Sequence, residues 1–77
     1  MEIIPKVIIL QEKKKDIISS IKFLNDYGFK DVEICNQTWI SKVDISNFKN
    51  LGYKYSVSIK KCYTLLDKLQ TFIKIIK

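Results

Sequence analysis

The chain has 77 residues, room for one domain with a thin core, and its 14 lysines against 8 acidic residues leave a net charge of +6. It contains no histidine, no arginine and no alanine. The first absence removes the usual neutral-pH acid–base group and the commonest metal ligand, and the second removes the bidentate fork for guanine, phosphate or carboxylate, so enzymatic chemistry has little to work with.

Residues 6–11 (KVIILQ) predict a buried strand, short, apolar and β-branched, with Pro5 at its entrance. Residues 16–27 predict a helix, with Asp16 as N-cap and Ile17, Ile21 and Leu24 in one stripe. Gly28 then supplies a left-handed terminator, and Phe29 the hydrophobic contact that closes it. Lys13, Lys14 and Lys15 fall in the loop between strand and helix.

Residues 30–35 (KDVEIC) alternate as a strand and 38–43 (TWISKV) as its hairpin partner. Asp44 is a candidate N-cap for a short helix carrying Ile45, Phe48 and Leu51 and ended by Gly52. Residues 53–60 (YKYSVSIK) alternate most strictly, with Tyr53, Tyr55, Val57 and Ile59 on one face and Lys54, Ser56, Ser58 and Lys60 on the other. Residues 62–76 are the cleanest helix, with Cys62, Leu65, Leu66, Leu69, Phe72, Ile73 and Ile76 at i, i+3, i+4 spacing.

The order is β-α-β-β-α-β-α over residues 1–77. That is a small α/β (α+β) domain of ferredoxin-like split βαβ order with a terminal helix added. Two alternatives are a looser α/β layer without the 38–43 strand, and a helix-turn-helix built from 45–51 and 62–76. The alternation of 53–60 argues against the second. A faint echo links Ile21-x-x-Leu24-x-x-x-Gly28-Phe29-Lys30 to Ile45-x-x-Phe48-x-x-x-Gly52-Tyr53-Lys54. Helix stops are commonly spelled this way, so it carries no repeat.

Ile, Leu, Val and Phe supply 28 residues, too many for a disordered segment. With so small a core, homodimerisation is an expected source of extra burial. Cys35 and Cys62 make neither a disulfide framework nor, without histidine, a zinc site. The opening MEIIPKVIIL carries Glu2 and has no basic n-region, so it is not read as a signal peptide. No apolar run approaches a membrane span. A cytoplasmic protein without cofactor or metal is expected.

Three features bear on function. Lys13, Lys14 and Lys15 could meet a phosphate or an acidic surface ahead of a helix N-terminus, but no glycine-rich loop accompanies them, and a solvated loop is the plainer reading. Lys54 and Lys60, extended by Lys61, could contact a partner or phosphates, against the plainer reading of a wet outer sheet face. Trp39 is either a core plug, the preferred reading, or an exposed anchor, and Tyr55 is a second candidate anchor. Asp31-x-Glu33 is too common a pattern to carry a metal-dependent nuclease.

The expected function is therefore non-enzymatic. It is a protein-interaction module, an inhibitor, adaptor or regulator whose lysines steer it to an acidic partner. The alternative is a nucleic-acid-binding regulator contacting phosphates through lysine with little sequence readout. Lysine and isoleucine excess is also what an AT-rich genome, such as that of a phage or mobile element, produces. The placement of charge therefore carries more weight than its total.

Overall fold

The computed structural model describes residues 6–77, and every regular element among them is helical: α1 (Lys6–Tyr27), α2 (Asp31–Thr38), α3 (Lys42–Leu51) and α4 (Ile59–Ile76). A single 3-10 turn (Gly52–Lys54) follows α3. No strand occurs among the described residues, which corrects the α/β reading and its ferredoxin-like order. The predicted helices at 16–27, 45–51 and 62–76 lie within α1, α3 and α4.

The predicted strand at 6–11 and the Lys13–Lys15 loop are both part of α1. The reason is one residue. Leu10, Lys14, Ile17, Ile21 and Leu24 repeat at alternating four- and three-residue steps, the inner seam of a packed helix. A lysine in the second position breaks the apolar stripe in the sequence but not in space. Lys14 is only 5% exposed and its ammonium donates to the Tyr53 carbonyl at 3.0 Å. Its stem packs along the core while its head leaves through the adjacent turn. Asp16 is consequently an exposed residue inside α1 rather than its cap.

α4 carries the matching seam, Cys62, Leu65, Leu69 and Phe72, all buried. The two long helices run parallel. Lys13 stacks over the Tyr63 ring at 5.0 Å near the start of α4, and the Tyr27 hydroxyl donates to the Ile76 carbonyl at its end. α1 stops as the sequence predicts. Gly28 has φ +119°, and the Phe29 N–H donates to the Leu24 carbonyl at 2.9 Å, the six-to-one bond of a Schellman terminator. The Phe29 ring meets Phe72 edge-on at 5.1 Å.

The predicted hairpin 30–35/38–43 is instead α2, a turn and the start of α3. Glu33 starts α2 by accepting from the Lys30 backbone N–H at 2.8 Å. The alternation Val32/Ile34 against Glu33/Cys35 describes a helix just as well, because only Ile34 of these four is buried. The alternating segment 53–60 divides into the 3-10 turn, an extended connector and the first turn of α4. Its alternation holds from 55 onward, where Tyr55, Val57 and Ile59 are half-buried and Ser56, Ser58 and Lys60 exposed, but Tyr53, expected on the apolar face, is exposed. A one-sided extended chain needs no pairing partner, so the pattern specifies burial without a sheet.

Candidate nucleic-acid interface

α2 and α3 are joined by three residues, Trp39, Ile40 and Ser41. Trp39 takes φ 63°, ψ 22°, the left-handed conformation, and its N–H donates to the Cys35 carbonyl at 2.9 Å. The buried Thr38 hydroxyl donates to Ile34 O at 2.6 Å and accepts from the Ile40 N–H at 3.4 Å, bracing the turn from inside. Ser41 then caps α3, its Oγ accepting from Val43 N at 3.1 Å and Asp44 N at 3.3 Å. The cap is therefore Ser41 and not Asp44.

The pair packs on α1 through Ile34, Ile40, Ile45 and Phe48, all buried beside Ile17, Ile21 and Leu24. An eight-residue helix, a three-residue turn with a left-handed first residue and a ten-residue helix, both backed by a third, have the element order and turn length of a helix-turn-helix. It occupies 31–51, upstream of the 45–76 pairing weighed from the sequence.

The orientation of α3 follows from which residues are buried. Asp44, Ile45 and Phe48 face inward, which turns Lys42, Val43, Ser46, Asn47 and Asn50 outward. Lys42, Val43, Ser46 and Asn47 line a shallow depression of about 330 Å³. The Asn50 amide donates to Ser46 Oγ at 3.2 Å, so these two side chains are held together on the outer face.

The only acid on α3, Asp44, is turned into the fold. Its Oδ1 accepts from the Tyr55 hydroxyl at 2.6 Å and pairs with the Lys61 ammonium at 3.0 Å. The hydrogen bond and charge of Asp44 hold the Lys61 ammonium protonated to higher pH than an ordinary lysine. The outer face of α3 thus presents amides, a hydroxyl, a methyl-bearing chain and a cation, and no carboxylate.

Lys49, at the edge facing α2, reaches both carboxylate oxygens of Asp31 at 3.1 Å, and Asn25 of α1 donates to the same group at 3.1 Å. Burial pushes the Asp31 carboxyl up. The hydrogen bonds from Lys49 and Asn25 and the charges of Lys49 and Lys42 outweigh it, holding the group below its ordinary value of 3.8. Asp31 therefore adds stability in full above that ordinary value, and the contribution is lost as pH falls through the lowered folded value. The urea midpoint should drop as pH falls below about 4, and Asp31→Asn should lose part of that drop. An unchanged pH profile in the variant would mean the clamp contributes nothing.

The residues singled out from the sequence divide by place. Lys13 lies on Tyr63, Lys14 is buried against the 3-10 turn that also holds Lys54, and Lys15 is exposed. Lys60 and Lys61 open α4 close by, so these lysines gather at the end of the molecule where α4 begins. Lys61 continues to α3 through Asp44. Tyr55 is half-buried, its ring edge-on to Phe48 at 5.0 Å and its hydroxyl on Asp44, which makes it a strut behind α3. Asp31 and Glu33 serve the clamp and the start of α2. Cys35 is half-buried and Cys62 buried; burial, the larger influence, pushes both thiols up and keeps them protonated.

Trp39 is 85% exposed, which corrects the preferred core-plug reading. It borders a groove of about 360 Å³ with Thr38, Phe72 and the exposed Ile75. A left-handed bulky residue is strained by about 1 kcal/mol relative to glycine, and Trp39 recovers little of that through burial. Trp39→Gly is thus expected to hold the melting temperature or raise it by about 4–8 °C. A core tryptophan would instead lower stability by about 3–5 kcal/mol on truncation.

The outward residues of α3 were absent from the sequence-based site. One signal for them was present: Ser41-x-x-Asp44 has the spacing of a helix start, three residues ahead of the assumed cap.

Among the described residues no group of three or more Cys, Asp or Glu could hold a metal ion, and no helix is long and apolar enough to cross a membrane. Comparison with family models, with curated proteins and with solved structures returned no match to this chain.

Proposed function

We propose that this chain is a helix-turn-helix DNA-binding protein, with α3 as the recognition helix in the major groove and α2 lying across the phosphate backbone. The observation that carries the reading is the outer face of α3, where Lys42, Val43, Ser46, Asn47 and Asn50 stand without a carboxylate while Asp44 is turned inward and ion-paired. Those are groups that meet base edges and phosphates. Lys30 before α2, Lys42 at the start of α3 and Lys60 at the start of α4 are exposed cations able to meet backbone phosphates. This is the nucleic-acid alternative from the sequence, with the contact surface moved from a strand face to a helix.

Anisotropy of a labelled duplex, titrated with protein at several salt concentrations, tests it. Saturable binding with log affinity falling linearly in log salt is expected, and Lys42→Ala should reduce that slope by about 1. Absence of duplex binding at low salt would end the reading.

Trp39 favours a second reading, the protein-interaction module. A strained, exposed tryptophan beside an open groove is the kind of residue that anchors a partner. The two readings use different surfaces, and a Trp39 variant that leaves duplex affinity unchanged would separate them.

A further inference from the structure

Resting on the DNA-binding reading, we infer that α3 reads A·T base pairs through the major groove, with Asn50 on adenine and Val43 on a thymine methyl group. An asparagine carboxamide offers one acceptor and one donor side by side, matching the N6 amine and N7 of adenine. Asn50 has one amide hydrogen on Ser46 Oγ. Among the described residues its other N–H and its carbonyl oxygen have no protein partner. The Ser46 contact holds the carboxamide in place, which reduces the ordering cost of a bidentate contact. Val43, 64% exposed and two turns toward the start of α3, is an apolar group in a position that burial does not explain. A thymine methyl is the one apolar feature of the major-groove floor.

Guanine is disfavoured by the same census. Its O6 and N7 are two acceptors, best met by arginine or lysine, and the chain has no arginine. Of the two lysines on α3, Lys49 is held by both oxygens of Asp31. That leaves Lys42, at the N-terminal edge where phosphates also lie. No acid stands on this face to accept from cytosine N4, because Asp44 is engaged with Tyr55 and Lys61.

The test is selection of bound duplexes from a library with a randomised core, using the full chain, followed by base-analogue substitution in the selected site. A·T-rich cores are expected. Replacing adenine by 7-deazaadenine should weaken binding about tenfold or more at one position at least, and replacing thymine by uracil should weaken it at another. Asn50→Ala should abolish the first sensitivity and Val43→Ala the second. Both side chains are exposed and a circular dichroism melt checks that both variants fold. Enrichment of G·C cores, or no enrichment, overturns the inference while leaving DNA binding intact. An A·T preference insensitive to both analogues also overturns it, since the readout would then lie in the minor groove. No binding to any duplex overturns the DNA-binding reading itself.

Discussion

Phe48→Ala is expected to cost about 3–5 kcal/mol, enough to leave the domain largely unfolded at 25 °C. Phe48 is 1% exposed and meets the Tyr55 ring edge-on at 5.0 Å. With Ile18, Ile21 and Lys22 of α1 it borders an open depression of about 310 Å³, so truncation removes buried contact area where α1 and α3 meet. Val43 is five residues earlier on the same helix and points out, so Val43→Ala should shift stability by no more than about 0.5 kcal/mol. Urea denaturation followed by circular dichroism measures both. Equal losses at the two positions would mean that α3 does not present the face assigned to it.

Asn50→Asp is expected to leave the fold intact and weaken duplex binding by about 10- to 100-fold, corresponding to about 1–3 kcal/mol. The change is isosteric and the side chain is exposed, so packing is preserved. It replaces an amide that can donate and accept with a carboxylate that only accepts, and it puts a negative charge on the outer face of α3, which carries none. Anisotropy titration with a fixed duplex reads the effect. Wild-type affinity in the variant would remove Asn50 from the interface.

Helices were legible wherever the apolar seam was unbroken. The spacing from Cys62 to Ile76 and from Ile17 to Leu24 specified helices, and Gly28-Phe29 specified how α1 ends. The first turns of α1 were misread because Lys14 occupies a seam position, and a lysine there hides the period that continues from Leu10. The connector 53–58 was misread because alternating burial is necessary for a one-sided strand but not sufficient for a sheet. Pairing depends on a neighbour that local sequence does not supply. α2 was misread for the opposite reason: eight residues with Ile34 as the sole buried aliphatic give too short a window to separate two periods.

The site was less legible than the fold. A left-handed turn residue is ordinarily announced by glycine or asparagine, and here it is Trp39, so the break between α2 and α3 carries no glycine signal. With that break unseen, Asp44 reads as the cap despite the Ser41-x-x-Asp44 spacing, and Lys42, Val43, Ser46, Asn47 and Asn50 fall on no common face. The lysine clusters attracted attention in their place because charge is visible in a sequence and orientation is not. Lys14 and Lys61 show the difference, one engaged with a backbone carbonyl and the other with Asp44.

On the DNA-binding reading, α3 enters the groove of duplex DNA. Titrating the ¹⁵N-labelled protein with a short duplex, and following every backbone amide, tests it most directly. The largest shifts are expected on residues 41–50, with smaller ones at Lys30 and the start of α4 and little change at Phe72 and Ile75. Shifts centred on Trp39, Phe72 and Ile75, or spread evenly over the lysines of every face, would contradict it.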